Sequence, residues 1–474
     1  MNSLALQAYY SLPNSLRSLA ASFRGLYLRS WRYGPETNHL VEEAIEREYW
    51  PAEKWKTWQE ERLAYILHRA ATKVPYYRKQ WNAVRRSGKR TSWEYLENWP
   101  ILEKESLRQT PMAFVADDCD VRRMFPEHTS GTTGKPIQLF WSRRVLRAWY
   151  ALLEARCRRW YQVSKQDRWA ILGGQMVTPV AQQTPPFWVW NAPLNQLYMS
   201  SYHLSSSLIP HYLEALKRYR VKYIWAYTSA IYAIAQEALK LLNPKDLALK
   251  VVITNAEPIF DYQRQVIAEA FQCPVRETYG MAEIVAAASE CNSRQLHLWP
   301  EVGWIEPPRS AEFIPNGQSE ALICTSLLNS DTPLIRYRVG DHGSGTRWFP
   351  LCECGRTLPI LDSVDGRSDD ILYALDGRSI GRLDPIFKSN LPIREAQIIQ
   401  EDFDRIRVRY VPTQQFDDAT KRIIKREIQA RLGPVKICFE GLKEIPREKN
   451  GKFQSVKCNL SPADRCKVEV ASRY

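Results

Sequence analysis

The sequence predicts an α/β protein. We expect a large N-terminal domain of mixed and parallel sheets covered by helices, a β-rich subdomain, and a small mobile α+β C-terminal domain. Strand-like and helix-like patterns alternate between Trp169 and Phe271, which is typical of a parallel, doubly wound sheet. Short strands and turns follow from Gln295 to Tyr337. After the polar, hinge-like stretch at Asp365 to Asp370, the sequence predicts strands at 371–373 and 406–411, a helix at 418–432 and a strand at 435–439. The predicted domains are residues 1–365 and 366–474.

The composition is that of a globular protein and not of a fibrous, disordered or disulfide-stapled one. The chain has 474 residues, 45% hydrophobic and 25% charged, with a net charge of +14. The positive charge suits anionic partners or plain solubility and does not choose between them. Ten cysteines are too few for a disulfide scaffold of this length, so a reducing, cytoplasmic location is expected. The longest apolar runs are too short for a membrane span, and no signal-peptide pattern is recognised.

The N-terminal segment predicts an amphipathic helix. Leu16, Leu19, Phe23 and Leu26 recur at helical spacing, with arginines between them. Such a helix either packs on the domain, which we favour, or makes a peripheral contact with a membrane. Two further helices are expected at 43–50 and 63–71, the second ending before Pro75.

A glycine-bearing loop at His128 to Pro136 is the most informative stretch. We expect short strands on both sides of it, at 121–125 and 137–141. Its glycines, hydroxyls and Lys135 can bind an anion through backbone N–H groups and one ammonium. The spacing departs from the common P-loop, because Pro136 follows the lysine. Taken alone, the loop is also compatible with an ordinary surface turn.

The middle of the chain supplies further polar side chains at strand ends. The predicted elements are a helix at 143–160, a strand at 169–172, an irregular loop at 175–197 that could wall a pocket, a helix at 207–219, a strand at 221–227, a helix at 229–242, a strand at 249–254 and a helix at 258–271. In such sheets ligands bind beyond the carboxyl ends of strands. The segments Thr254 to Glu257 and Tyr279 to Glu283 are expected there.

Five motifs together resemble the adenylate-forming superfamily of acyl-CoA synthetases, and they occur in that superfamily's order. They are the glycine loop, Tyr279-Gly280-Met281-Ala282-Glu283, Tyr337-Arg338-Val339-Gly340-Asp341, Gly366-Arg367-Ser368-Asp369, and Pro446-Arg447-Glu448-Lys449-Asn450-Gly451-Lys452. The chain is most similar to the phenylacetate-CoA ligase branch, and within it to the CapK-type members associated with capsular polysaccharide biosynthesis. Three segments carry that closer similarity, namely Val74 to Tyr77, Cys352 to Arg356 and Gly366 to Asp370.

The resemblance implies roles for single residues in a reaction of ATP with a carboxylate. The β- and γ-phosphates would be held by the glycine loop, with Ser130, Gly131, Thr132, Thr133, Gly134 and Lys135. The rest of the nucleotide site would comprise Glu257, Tyr279, Gly280, Met281, Asp341 and Arg367, with Asp341 on the ribose and Tyr279 near the adenine. Glu283 would ligate Mg²⁺, and Lys452, with Glu283 and Thr132, would be catalytic. Asp369 would be the hinge between the two half-reactions. Residues 1–365 would then be the adenylation domain, with the catalytic lysine on residues 366–474.

The partners implied are ATP, Mg²⁺, a small carboxylic acid and CoA as acceptor. The acid is expected to be aromatic or otherwise small, because residues 175–198 are rich in tryptophan and proline. One alternative is transfer of the acyl group to an amine or sugar in surface polysaccharide assembly, without CoA. Another is a catalytically silent nucleotide-binding protein. Nucleic acid is not expected, since only net charge favours it. The oligomeric state stays open, with a homodimer as one option.

Four further residues have side chains that suit a metal site. Cys291, His297, Cys352 and Cys354 offer three sulfurs and one imidazole, which suits a closed tetrahedral zinc site of structural type. The spacing differs from a standard zinc knuckle, so four unrelated residues remain the alternative.

Overall fold

The computed structural model describes residues 3–88, 91–129, 137–175, 177–179, 181–241, 247–306, 320–348, 352–367, 372–374, 379–380, 391–447, 453–461 and 464. The helices are α1 (Ser3–Ser11), α2 (Asn14–Arg32), α3 (Thr37–Arg47), α4 (Ala52–Lys73), α5 (Pro75–Arg86), α6 (Lys104–Gln109), α7 (Arg143–Leu153), α8 (Ile209–Arg218), α9 (Thr228–Leu241), α10 (Asp261–Phe271) and α11 (Asp418–Leu432). None of the helices in these ranges is long and apolar enough to cross a bilayer.

The strands form one large sheet and three smaller ones. They are β1 (Phe125–His128), β2 (Gln138–Trp141), β3 (Trp169–Gly173), β4 (Trp188–Asn191), β5 (Gln196–Ser200), β6 (Tyr223–Tyr227), β7 (Val251–Asn255), β8 (Val275–Gly280), β9 (Ala287–Glu290), β10 (Leu296–Leu298), β11 (Gly303–Ile305), β12 (Glu320–Ser326), β13 (Tyr337–Arg347), β14 (Ile360–Arg367), β15 (Leu372–Tyr373), β16 (Ser379–Ile380), β17 (Ile393–Asp402), β18 (Arg405–Pro412), β19 (Lys436–Gly441) and β20 (Val456–Cys458).

The large sheet has two halves of different character. Its order is β11-β12-β13-β14-β10-β9-β8-β7-β6-β3-β5-β4. The strands β5, β3, β6, β7 and β8 run parallel to one another, and helices connect several of them. From β8 onward the pairing is antiparallel. The predicted fold class is therefore confirmed, and the doubly wound half is continuous with the β-rich half through β8 and β9.

The C-terminal part forms its own small sheet, β19-β18-β17-β20, with α11 packed on it. Apolar residues of α11 and of the central strands make a separate core, with Ile398, Ile406, Val408, Ile424 and Ile428 fully buried. β14 continues to Arg367. The first two residues of the predicted C-terminal domain thus pair with β13 in the large sheet.

Three local expectations were wrong. Residues Val121–Arg123 form a 3₁₀ turn capped by Asp120, and the strand before the glycine loop begins only at Phe125. The loop expected at 175–197 contains β4 and the start of β5. The helix expected to run from Arg143 to Trp160 changes to a π-helical turn at Glu154–Arg158, which places Arg156 and Arg158 in the interior. A π-turn rotates the following side chains relative to a continuous α-helix.

The N-terminal helix α2 packs on the sheet through its small residues and not through its leucines. Ser18 and Ser22 bond to the backbone of β4, where Trp190 N donates to Ser18 Oγ at 3.2 Å. A Cβ on Gly25 would lie 2.0 Å from the Asn191 side chain, so only glycine fits this contact. The predicted apolar residues point outward instead, from Leu16 at 45% to Phe23 at 65% exposed. The helix therefore covers an edge strand and exposes an apolar stripe.

Candidate functional site

The glycine loop joins the two strands of a β-hairpin. β1 and β2 pair antiparallel from Phe125 opposite Trp141 to His128 opposite Gln138. Thr129 closes the described part of the hairpin, since its N–H donates to Ile137 O and its Oγ1 accepts from Ile137 N, both at 3.0 Å. The predicted phosphate-binding residues Ser130, Gly131, Thr132, Thr133, Gly134 and Lys135 lie outside the described residues.

Two parallel neighbours bring the predicted nucleotide residues to one end of the sheet. β7 ends at Asn255 and β8 ends at Gly280, and the two strands pair directly. Ala256, which has a positive φ of 62°, turns the chain after β7 so that Glu257 follows at the sheet end. Ala256, Tyr279, Gly280 and Met281 line a single large cavity.

Tyr279 and Asp341 form a partly buried hydrogen bond across the site. Tyr279 Oη donates to Asp341 Oδ2 at 2.9 Å. Burial and the nearby Asp341 carboxylate raise the pKa of Tyr279 well above its usual value, so the phenol remains the donor. Asp341 lies on β13 directly opposite Arg367 on β14. Three predicted nucleotide-binding residues are thus neighbours in space.

Glu283 is buried and held by a tyrosine of the same motif that contains Asp341. Tyr337 Oη donates to Glu283 Oε1 at 2.9 Å, and the glutamate is 6% exposed. Burial, followed by the Glu283 carboxylate, raises the pKa of Tyr337. A carboxylate oriented in this way offers an anionic oxygen at the same sheet end as Tyr279.

Glu257 connects the two parts of the chain. Its carboxylate accepts from Ser229 N at 2.7 Å, from Ser229 Oγ at 3.1 Å and from Phe453 N at 2.8 Å. Burial raises the pKa of Glu257, and the hydrogen bonds from Ser229 and Phe453 oppose that rise. Phe453 directly follows Lys452 in the sequence. Lys452 itself and Asp369 lie outside the described residues.

Sequence reasoning did not identify these contacts. Ser229 has a detectable signal, since it opens a helix directly after a strand, where N–H groups are unpaired. Tyr337 lay in a quoted motif, but its bond to Glu283 spans 54 positions. The Phe453 contact spans 196 positions, and no local pattern indicates it.

The cavity has a volume of about 1330 Å³ and reaches from this sheet end to α2. Aromatic side chains form much of its wall, including Trp149, Trp169, Tyr198, Trp225 and Trp299. Five cationic residues also line it, namely Arg24, Arg29, Arg32, Arg158 and Lys165. Among the residues described along its wall there is no carboxylate. The cavity therefore favours an anionic ligand with a large apolar part.

The predicted Cys/His set is also brought together, and none of its four residues is among those that line that cavity. The ligand atoms of Cys291, His297, Cys352 and Cys354 all lie within 4.8 Å of one another.

Comparison with known proteins gives consistent similarities. A family model described as the CapK C-terminal domain matches residues 372–459. Protein CapK of Staphylococcus aureus is 26% identical over 375 residues, covering 77% of this chain and 81% of that protein. The phenylacetate-coenzyme A ligase of Thermus thermophilus is 26% identical over 343 residues, covering 69% and 73%. A structure of 2-hydroxyisobutyryl-CoA ligase in the postadenylation state matches with a TM-score of 0.65 at 19% identity, covering 90% of this chain and 94% of that one. The predicted resemblance is confirmed.

Proposed function

We propose that this chain, a relative of CapK and of the phenylacetate-coenzyme A ligases, is an AMP-forming ligase that activates a carboxylic acid with ATP. The acid and ATP give an acyl-adenylate and pyrophosphate, and CoA then displaces AMP to give a thioester. One observation carries the proposal: Tyr279, hydrogen-bonded to Asp341, and Glu283 lie at the carboxyl end of β8, and the Glu257–Phe453 contact follows the end of the neighbouring parallel strand β7. Ligands of doubly wound sheets bind at that end.

The chemistry requires that two anions react, so the site must reduce charge repulsion and align the attack. Asp341 accepts hydrogen bonds from the ribose hydroxyls, and Tyr279 holds that carboxylate in place while its ring packs near the adenine. Arg367, opposite Asp341 on the next strand, adds a cation beside the nucleotide. Gly280 and Met281 continue the wall of the nucleotide site.

The pyrophosphate leaving group belongs to the glycine loop in this proposal. Ser130, Thr132 and Thr133 donate hydrogen bonds to the β- and γ-phosphates, Gly131 and Gly134 allow close backbone approach, and Lys135 supplies charge. The hairpin formed by β1 and β2 supports the assignment because it fixes both ends of the loop.

Glu283 fits a Mg²⁺ ligand on chemical grounds. It is a buried carboxylate oriented by Tyr337, and Mg²⁺ uses few protein oxygens when phosphates supply the others. Glu283 would hold the ion, and the ion would supply positive charge to the phosphates. The contribution of the chain is to keep one carboxylate oxygen in a fixed position.

Lys452 is the proposed catalytic cation that stabilises charge between the carboxylate and the α-phosphate. The hydrogen bond from the next residue, Phe453, to Glu257 supports this role, since Glu257 is a predicted nucleotide-binding residue. Asp369 is proposed as the hinge between residues 1–365 and 366–474, because rotation there exchanges the C-terminal face after adenylation.

The test is ATP–pyrophosphate exchange over a panel of acids, followed by thioester formation with and without CoA. We expect acid-dependent exchange and a CoA thioester. Exchange without a thioester would favour the alternative acceptor, an amine or sugar in surface polysaccharide assembly. Exchange with none of the acids, with ATP still bound, would favour a silent nucleotide-binding protein and overturn the proposal.

We also infer that the acid lies in the part of the cavity that reaches α2. A volume of about 1330 Å³ exceeds the range of roughly 300–1,000 Å³ typical of sites for single small molecules, which leaves room for both a nucleotide and an acid. The nucleotide occupies the end at Ala256 and Tyr279. The part that reaches α2 remains for the acid, and its aromatic and cationic wall suits an apolar body with an additional anionic group. The acid panel should therefore grade both size and charge.

The exposed stripe of α2 is proposed to dock on an anionic lipid surface. Residues 1–35 contain four arginines and no acidic residue, so the charge around the stripe complements anionic headgroups.

Leu19→Glu is expected to lower sedimentation with phosphatidylglycerol-containing vesicles several-fold, because a carboxylate then opposes insertion. Leu239→Glu, at a similarly exposed leucine on α9, is the matched control. No difference between the variants, or a dimer that dissociates in Leu19→Glu, would contradict lipid docking. The cytoplasmic location stays a prediction.

A further inference from the structure

Three thiols and one imidazole converge where two tight turns meet. Cys291 begins the turn between β9 and β10, and His297 lies on β10. Cys352 and Cys354 precede β14, which pairs with β10. The Cys291 and Cys352 sulfurs are 3.8 Å apart, and Cys354 Sγ is 3.4 Å from His297 Nε2.

These two distances match two edges of a zinc tetrahedron. With Zn–S near 2.3 Å and Zn–N near 2.0–2.1 Å, tetrahedral angles place two sulfurs about 3.8 Å apart and a sulfur and a nitrogen about 3.5 Å apart. A disulfide needs about 2.05 Å between sulfurs, so the Cys291–Cys352 pair is not one. All four ligand atoms lie within 4.8 Å of one another, so a single ion could contact all of them.

The surroundings orient the ligands. His297 Nδ1 lies 2.9 Å from Leu358 O, so the Nδ1–H donates there and the Nε2 lone pair faces the sulfurs. Histidines that bind zinc commonly donate their other N–H to a carbonyl in this way. Gly355 N donates to Cys352 O at 2.9 Å, and Gly355 has a φ of 78°, which closes a turn around Cys354.

We propose that Cys291, His297, Cys352 and Cys354 bind one structural Zn²⁺ ion. Four protein ligands leave no open position for a substrate, which is typical of structural and not catalytic zinc. The ion would join the β9–β10 turn to the segment that enters β14. That segment also contacts α3's C-terminal end, where Arg356 Nε donates to Glu48 at 2.7 Å and Thr357 N donates to Glu48 O at 2.9 Å. The site thus fixes the strand that leads to Arg367.

Metal analysis of the full-length protein tests the site directly. We expect one zinc ion per chain, lost in Cys354→Ser and retained in Cys438→Ser, which changes an exposed cysteine of the C-terminal sheet. Reconstitution of the metal-free protein with Co²⁺ should give the ligand-field absorption of tetrahedral thiolate coordination. Absence of zinc together with absence of that Co²⁺ spectrum, or iron in place of zinc, would overturn the proposal.

A second measurement covers the case in which Cys354→Ser does not fold. Thiol labelling of the unmodified chain, with and without a strong chelator, should show three additional reactive thiols after chelation, at Cys291, Cys352 and Cys354 by mass mapping. Equal labelling in both conditions, or a disulfide among these three cysteines, would overturn the proposal. Neither measurement depends on ligase activity. A failure of the zinc proposal can therefore be distinguished from a failure of the proposed function.

Discussion

Replacing Lys452 with alanine is expected to slow acid-dependent ATP–pyrophosphate exchange by about 10²–10³-fold, the usual effect of removing one group that stabilises transition-state charge. The Glu257–Phe453 contact uses the backbone N–H of Phe453, so it can persist in the variant. ATP binding should therefore change little, because the nucleotide contacts through Tyr279 and Asp341 remain. Single-turnover adenylate formation and equilibrium ATP binding measure the two effects separately.

Two comparison variants make this result specific. Lys457→Ala removes a lysine from the exposed face of β20 and should leave exchange within about twofold of the unmodified chain, since surface changes are usually near neutral. Asp369→Pro should keep exchange and lose thioester formation, because it restricts the proposed hinge. Equal loss of both half-reactions in Asp369→Pro would contradict the hinge. Unchanged exchange in Lys452→Ala would contradict the catalytic role.

Replacing Glu301 with alanine is expected to lower the free energy of unfolding by about 3–5 kcal/mol, because the buried Arg156 guanidinium loses both of its hydrogen bonds to a carboxylate and is left with the Glu48 carboxylate, 3.9 Å from its Nε. Arg156 is fully buried on the π-helical turn, and both of its terminal nitrogens donate to Glu301 at 2.7 Å. Such bidentate pairs combine two charge-assisted hydrogen bonds. Urea unfolding followed by tryptophan fluorescence measures the change.

An exposed ion pair serves as the control for Glu301. Glu103 and Arg338 are 2.9 Å apart with both side chains substantially exposed, so Glu103→Ala should cost about 0–1 kcal/mol. Equal effects of the two substitutions would mean that the Arg156–Glu301 pair contributes no more than a surface contact.

Regular periodicity made much of the fold predictable. The bounds predicted for α11 are those observed, because Asp417 caps its start and Gly433 follows its end. Strand β13 was harder to predict, since its sequence includes three glycines and an aspartate that disfavour strands. It forms because β12 and β14 pair on both sides of it. Tertiary pairing of this kind leaves no local signal.

The orientation of α2 shows the same limit for packing. Four large apolar residues at helical spacing indicate a buried face, yet the buried face here consists of Ser18, Ser22 and Gly25. The helix approaches the backbone of β4 closely, and only small residues fit between them. A pattern of hydrophobic residues carries no information on that constraint.

For the site, the motifs predicted which side chains are functional. They did not predict which residues donate hydrogen bonds to them. The carboxylates Glu257, Glu283 and Asp341 were all singled out from the sequence. The sequence did not predict the hydrogen bonds that Ser229, Tyr337 and Tyr279 donate to these carboxylates, because each donor lies far along the chain from its acceptor.

The position of α2 on β4 has a consequence for how the protein can be shortened. β4 is the last strand of the twelve-stranded sheet, and an uncovered edge strand offers its free N–H and C=O groups to other chains. Removal of the first 32 residues would uncover that edge and would also remove part of the cavity wall. Self-association through β4 would then be the main hazard for a truncated protein, both during expression and in storage.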